Sequence, residues 1–337
     1  MTASIPTFLL NTGDRLPVIG YGTFGGKNSS EAMYEAAKEA LKVGYRFFDT
    51  AYSYTTEEAL GKAIRESDVS RKELFVNTKL SQTFHEPKYV RPACERSLSL
   101  LGLDYLDMYM VHWPLAWKFS GFEFENLRKK DEEGDIKCID VPLIDTWRGM
   151  EQLVKDGLVK NLGISNFTLP MIKELLTQCN IPPAVHQIEI HPNLLQEDML
   201  AFCKENNILC IASTPLGNPG LFGAGKINPL AEPEVLQVAK KYGKTSAQVV
   251  LNWGISRGCS VIPKSATPKR IKENFVVFPI DSKDVDLISK IGHRNTIRVC
   301  DPFDAFGPSN DVFGEHKEEV AKWLSLRKSV NNLKSNI

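Results

Sequence analysis

The sequence predicts an α/β fold, specifically a (β/α)8 TIM barrel, and two observations carry that prediction. Eight short β-rich apolar runs alternate with amphipathic helical patterns along 337 residues, and no Pro/Gly/Ser-rich linker divides them. The composition, 42% hydrophobic and 24% charged, supplies enough apolar side chains for one large core. Residues 1–337 are therefore expected to form a single barrel domain.

The elements follow in chain order. FLLNTGDRLP sets a turn signal between two short apolar runs, so residues 1–17 are expected to form a hairpin that plugs the barrel floor. The strand candidates are VIGYGT (18–23), RFFDT (46–50), LFVNTK (74–79), YLDMYMVH (105–112), VKNLGIS (159–165), AVHQIEIH (184–191), ILCIAS (208–213) and CSVIPK (259–264). Helical segments such as EAMYEAAKEALKVG, PKYVRPACERSLSLLG and PLIDTWRGMEQLVKDG lie between them. The last carries an apolar stripe at Leu143, Trp147, Met150 and Leu153. Two stretches break the rhythm: a long loop after the fourth strand (113–141) and a C-terminal tail (291–337). Both are rich in Phe, Trp and charge, and long irregular segments in a compact fold are often functional.

Charge and cysteine usage exclude several classes. With 41 basic and 41 acidic residues the net charge is zero, which gives no electrostatic reason for a nucleic-acid partner or a charged membrane surface. No apolar run approaches the roughly 20 residues of a membrane span, and MTASIPTFLL is too short and uncharged for a signal peptide, so a cytoplasmic protein is expected. Cys94, Cys138, Cys179, Cys203, Cys210, Cys259 and Cys300 are odd in number and form no CxxC pair. Neither a disulfide framework nor a metal site is expected from them.

A rival reading comes from GYGTFG, Gly20 to Gly25, a literal GxGxxG between a strand and a helix, with Asp49 ending the next strand. In a Rossmann domain these residues would hold a pyrophosphate and a ribose hydroxyl. The intervening GKNSSE delays the helix, however, and a Rossmann sheet leaves eight strand-helix units unexplained. The barrel reading makes a sharper demand, because chemistry in such folds collects at the carboxyl ends of the strands. Those ends carry Asp49, Lys79, His112, Ser165 with Asn166, Gln187 and Lys264. Each alone has a bland explanation, such as a helix cap, a core histidine or a solvated lysine. Their convergence favours a site.

The motifs GYRFFDTAYSY, NTKL, MVHWP, KNLGISNF, HQIEIHP and IPKSATPKRIKENF resemble those of the aldo-keto reductases, in the aldose and xylose reductase branch, from about Leu10 to Phe303. The resemblance implies a barrel that binds NADPH or NADP+ without a Rossmann domain and reduces aldehyde or ketone carbonyls. It implies a catalytic tetrad at Asp49, Tyr54, Lys79 and His112. Tyr54 would supply a proton to the developing alkoxide, Lys79 would lower the phenol pKa, and Asp49 would keep Lys79 charged and oriented. His112 would hydrogen-bond the substrate oxygen. In extended chain Tyr52 and Tyr54 would face the same side, and the resemblance assigns the acid to Tyr54.

The same resemblance places Ser165, Asn166 and Gln187 on the nicotinamide carboxamide. Thr23, Thr214 and Leu216 belong to the expected cofactor groove, and Ser213 stands where the family carries a stacking aromatic. Phe222 in the following loop could fill that slot instead. In KSATPKR, Thr267 reads as an N-cap and Pro268 as the first helical residue. Lys264, Ser265 and Arg270 around that helix start suit a 2′-phosphate, and Glu273 and Asn274 match family positions near adenine.

Phe24, Trp113, Phe124 and Cys300 are the expected substrate-pocket residues, with Trp117 and Phe122 as further candidate walls. Phe24 stands where aldose reductases carry Trp, and Cys300 occupies the place of a xylose reductase Asn. The expected partner is a small carbonyl substrate, and the expected assembly a monomer or homodimer. Two alternatives stay open at this point: a Schiff-base lyase using Lys79, and a cofactor-binding redox sensor or scaffold with little turnover.

Overall fold

A computed structural model describes residues 5–25, 30–130, 136, 138–217 and 227–334, with side chains as far as residue 325. The expected hairpin is present as β1 (Thr7–Leu9) and β2 (Arg15–Pro17), antiparallel, with Phe8 opposite Leu16. The barrel strands are β3 (Tyr21–Gly22), β4 (Phe47–Asp49), β5 (Phe75–Leu80), β6 (Leu106–Val111), β7 (Val159–Ser165), β8 (Val185–Glu189), β9 (Leu209–Ser213) and β10 (Ser260–Val261). Each lies inside its predicted run to within one residue. They pair in parallel in sequence order from β3 to β10. The sheet closes on itself through a parallel bridge between Ile19 and Val261, with the Gly20 amide donating to the Val261 carbonyl at 2.8 Å.

Helices α1 (Ser30–Val43), α2 (Glu57–Arg65), α3 (Pro87–Leu101), α4 (Leu143–Lys155), α5 (Leu169–Gln178) and α6 (Glu197–Glu205) follow β3 to β8 in turn. Both α7 (Pro233–Tyr242) and α8 (Ser246–Ser256) follow β9, and α9 (Pro268–Asn274) and α10 (Ser282–Arg294) follow β10. The stripe predicted on α4 is the buried one: Trp147, Met150 and Leu153 enter the layer between strands and helices. Each such side chain contributes about 1.5–3 kcal/mol on burial.

The barrel interior explains why polar residues gather at one end. Successive side chains of a strand alternate faces, so residues two apart share a face. On the inward face, Phe47 precedes Asp49, Phe75 precedes Asn77 and Lys79, Val185 precedes Gln187, and Ile211 precedes Ser213. The apolar members pack with Met108, Met110 and Ile262 in a second core, and Leu10 and Leu16 of the hairpin join them. The hairpin thus seals the floor as expected, and the polar members are left at the opposite, carboxyl mouth.

Gly20 and Gly22 of GYGTFG serve this closure. A Cβ on Gly22 would come within 2.8 Å of the Ile262 carbonyl oxygen, and one on Gly20 would enter the Phe47 ring. Close strand approach, not a pyrophosphate turn, accounts for them.

The tail differs from the irregular segment expected. Helix α10 runs through to Arg294, and beyond it lie α11 (Pro302–Phe306), a one-turn helix at Pro308–Asn310, and α12 (Lys317–Lys334). Asp301 caps α11 by accepting from the Phe303 amide at 2.9 Å, a cap the sequence reading passed over. The loop 113–141 is tied to the tail: Trp117 Nε1 donates to Asn310 Oδ1 at 2.9 Å. Glu189, at the end of β8, accepts from the Val299 and Cys300 amides at 2.7 and 2.6 Å and fixes the tail over the mouth. No helix among the described residues is long and apolar enough to cross a membrane, and none of the seven cysteines is in a disulfide.

Candidate active site

Asp49 ends β4 and is the hub of the mouth. Its Oδ2 accepts from Lys79 Nζ at 2.7 Å, and its Oδ1 accepts from Asn77 Nδ2 at 2.5 Å and Gln187 Nε2 at 2.7 Å. Lys79 also donates to the Thr50 carbonyl at 2.8 Å. Lys79 is 0% and Asp49 2% exposed, so this pair is a buried one that leaves two ammonium bonds fixed. Burial pulls the Lys79 pKa down, and the Asp49 carboxylate opposes that fall.

Tyr54 follows β4 on a one-turn 3₁₀ helix, Tyr52–Tyr54, closed by Thr55 at φ 59°. This turn corrects the extended-chain expectation. At three residues per turn the two tyrosines diverge. Tyr52 packs edge-on against Phe84 with centroids 5.5 Å apart, and its hydroxyl donates to the Phe122 carbonyl and accepts from Arg96 Nε at 2.7 Å. Tyr54 faces the cavity, its ring 4.9 Å from that of Phe24. Its hydroxyl lies 3.4 Å from Nε2 of His112, whose Nδ1 lies 3.4 Å from Ser53 Oγ.

The electrostatics correct a second expectation. Burial, followed by the negative charge of Asp49, holds the Tyr54 pKa well above its usual value. The geometry gives the reason: the ammonium is committed to Asp49 and Thr50, and stands 5.0 Å from the Tyr54 ring centroid. Burial, with Lys79 and Arg128 adding positive charge, holds His112 well below the usual histidine range, so it is neutral.

One cavity of about 1030 Å³ opens over these groups. Its wall includes Asp49, Tyr54 and His112, and each of the thirteen expected cofactor residues: Thr23, Ser165, Asn166, Gln187, Ser213, Thr214, Leu216, Lys264, Ser265, Thr267, Arg270, Glu273 and Asn274. Asn166, at φ 64°, donates through Nδ2 to the His112 carbonyl at 2.9 Å and to Ser165 Oγ at 3.0 Å. Its Oδ1 and the Ser165 hydroxyl hydrogen are thereby left to meet a polar ligand. Lys264 and Arg270 enter no ion pair among the described residues, and burial lowers the Lys264 pKa. Two unpaired cations on a groove wall fit an anionic ligand. Thr267 stands at the N-cap position of α9 but its side chain makes no capping hydrogen bond; its own amide donates to Ser265 Oγ at 3.1 Å.

The expected substrate residues divide. Phe24, Trp113, Trp117 and Cys300 line the cavity. Phe124 does not: its ring packs against Tyr52 with centroids 4.9 Å apart, because the 3₁₀ turn Phe124–Asn126 lays it on the outside of the mouth. Phe122 likewise stacks on Phe84, centroids 5.0 Å apart. Phe222 lies outside the described residues. Phe306 and Arg128 were missed, and both line the cavity. No local pattern marks either one: Arg128 comes from the loop 113–141, and Phe306 ends α11, whose five residues are too few to show a helical period.

A closed (β/α)8 barrel that gathers Asp, Lys, Tyr and His over its carboxyl face beside a cation-lined groove is the arrangement of a barrel oxidoreductase. The model of the aldo/keto reductase family matches residues 18–293, and the chain belongs to that family. It is 38% identical over 306 residues to a glycerol 2-dehydrogenase (NADP(+)) of Hypocrea jecorina, covering 89% of this chain and 96% of that protein. It is 39% identical over 305 residues to aldehyde reductase YPR1 of Saccharomyces cerevisiae, with 88% and 95% covered. The solved aldose reductase of Schistosoma japonicum superposes with a TM-score of 0.83 at 35% identity, covering 92% of this chain and 99% of that one.

Proposed function

We propose that the whole chain works as one barrel that reduces aldehyde or ketone carbonyls to alcohols with NADPH, with Tyr54 as the general acid. The observation that carries this reading is the meeting of Tyr54 OH and His112 Nε2, 3.4 Å apart, on the same cavity wall as the unpaired cations Lys264 and Arg270.

Bound NADPH supplies the hydride. Ser165, Asn166 and Gln187 would hold its carboxamide, Lys264 and Arg270 would take its 2′-phosphate, and Glu273 and Asn274 would lie by the adenine. The substrate oxygen sits between Tyr54 and neutral His112, which orients it by a hydrogen bond. Burial keeps Tyr54 fully protonated, so the proton is in place when the alkoxide develops. An alkoxide is a far stronger base than a phenolate, and transfer from Tyr54 Oη therefore runs downhill. The Lys79 ammonium, held charged by Asp49, is the nearby positive charge for the phenolate left behind. Lys79 itself is not on the cavity wall, which disfavours a Schiff base. The scattered cysteines, with no CxxC pair in the sequence, support a reducing, cytoplasmic setting.

The test is a panel of benzaldehyde, glyceraldehyde, methylglyoxal and xylose, followed by loss of NADPH absorbance. Carbonyl-dependent oxidation supports the reading. Tight NADPH binding with no turnover on any member would replace it with a cofactor-binding sensor.

A further inference from the structure

A neutral imidazole has two tautomers, and the proposed function needs one of them at His112. Its Nε2 lies 3.4 Å from the Tyr54 hydroxyl and its Nδ1 lies 3.4 Å from the Ser53 hydroxyl. Among the described residues no other group bonds either ring nitrogen. Both contacts come from the single 3₁₀ turn Tyr52–Tyr54, closed by the Tyr54 amide donating to the Ala51 carbonyl at 2.9 Å. With three residues per turn, Tyr52 points away to Phe84 and Arg96. Ser53 and Tyr54 are thereby left to take the two nitrogens of one ring, and all three groups line the cavity.

The two tautomers do different things to Tyr54. With the hydrogen on Nδ1, that atom donates to Ser53 Oγ and the bare Nε2 accepts from Tyr54. The Tyr54 proton is then held by His112, and Nε2 has no hydrogen for a substrate oxygen. With the hydrogen on Nε2, the bare Nδ1 accepts from the Ser53 hydroxyl. Nε2 then donates to the substrate oxygen while Tyr54 keeps its own proton for the same atom. Once that proton has moved to the developing alkoxide, the Nε2 hydrogen faces the phenolate. Which nitrogen carries the hydrogen is set by the bond that the other nitrogen makes. A carboxylate at Nδ1 could only accept, and would fix the form that cannot serve; a hydroxyl can donate. No carboxylate bonds His112 among the described residues.

We propose that Ser53 is a positioning residue that donates its hydroxyl hydrogen to His112 Nδ1 and so selects the tautomer with hydrogen on Nε2. This rests on the carbonyl-reductase reading above. Ser53 acts through His112, and one turn of chain thus carries both the acid and the group that frees the acid's proton.

The first measurement is a long-range proton–nitrogen NMR correlation on the whole chain labelled with nitrogen-15 histidine, the His112 signals being assigned by their loss in His112→Asn. The unaltered protein should show hydrogen on Nε2 and a bare Nδ1. Hydrogen on Nδ1 would overturn the proposal, whatever a Ser53 variant does. The second is kcat for benzaldehyde in Ser53→Ala and Ser53→Thr. Ser53→Ala should lower kcat by about 3- to 10-fold, the worth of one neutral hydrogen bond, and move His112 hydrogen toward Nδ1 in the spectrum. Ser53→Thr keeps the hydroxyl, so its kcat should stay within about twofold of the parent and its spectrum should keep the Nε2 form. NADPH affinity should be parental in both. A parental kcat in Ser53→Ala, or an equal loss in Ser53→Thr, would sink the assignment. If the unaltered protein turns over no aldehyde, the reductase reading fails, and the spectra of parent and Ser53→Ala still decide whether Ser53 sets the tautomer.

Discussion

Lys79 Nζ lies 2.7 Å from Asp49 Oδ2 and 5.0 Å from the centroid of the Tyr54 ring, so the buried ammonium bonds the acid and not the phenol. The first consequence concerns stability. Removing one member of a buried pair leaves an uncompensated charge, which costs about 3–5 kcal/mol. Asp49→Asn should lower the unfolding free energy by roughly that amount in urea titration. A loss below about 1 kcal/mol would mean that Lys79 finds another partner or becomes neutral.

The second concerns pH. The acid form of Tyr54 is the active one, and its pKa is raised, so activity should not fall as pH climbs toward the ordinary tyrosine range. The neutral form of His112 is the active one, and its pKa is lowered, so no inflection should appear near the ordinary histidine value. We expect kcat for reduction to be flat from about pH 6 to about pH 9, bracketed by the ordinary values of the two side chains. A limb centred near neutrality would assign the rate to a different group.

Much of this arrangement is legible in the chain. The strand runs, the floor hairpin and the set at the strand ends follow from periodicity of two and from polar residues placed at one end of inward faces. What was not legible lies where chain direction is set by tertiary packing. A single 3₁₀ turn separates Tyr52 from Tyr54, and another sends Phe124 outward. Arg128 and Phe306 meet where the loop is tied to the tail, as by the bond from Trp117 to Asn310. The Tyr54 shift was read with the wrong sign because sequence names a neighbouring lysine without showing that its bonds are already taken.

Cofactor choice gives a third expectation. Among the described residues Lys264 and Arg270 enter no ion pair, and charge-assisted hydrogen bonds contribute about 1.5–3 kcal/mol each. The double variant Lys264→Met, Arg270→Met should weaken NADPH by a few kcal/mol in fluorescence titration and NADH by about 1 kcal/mol or less. Equal weakening of both would move the 2′-phosphate elsewhere.

Glu57 supplies a fourth. It is 1% exposed, accepts from Thr78 Oγ1 at 2.6 Å through Oε1, and leaves Oε2 without a partner. Burial raises its pKa from the ordinary 4.5 to about 7. The folded chain therefore holds this proton more tightly than the unfolded chain. That contribution to stability is fully present below 4.5 and is lost as pH rises through about 7. Glu57→Gln, which mimics the protonated form, should match the parent near pH 5 and exceed its stability near pH 8 by about 1–3 kcal/mol. A variant equally destabilised at both values would show that Glu57 is ionised in the fold.

The most direct measurement is single-turnover reduction of an aldehyde by Tyr54→Phe, with NADPH binding measured on the same preparation. Phenylalanine keeps the ring against Phe24 and removes only the hydroxyl that faces His112. The account predicts a fall in the reduction rate of roughly 10²-fold or more, the worth of a positioned general acid, with NADPH affinity within a few-fold of the parent. A near-parental rate in that variant, with NADPH still bound, would contradict the assignment of Tyr54 as the acid.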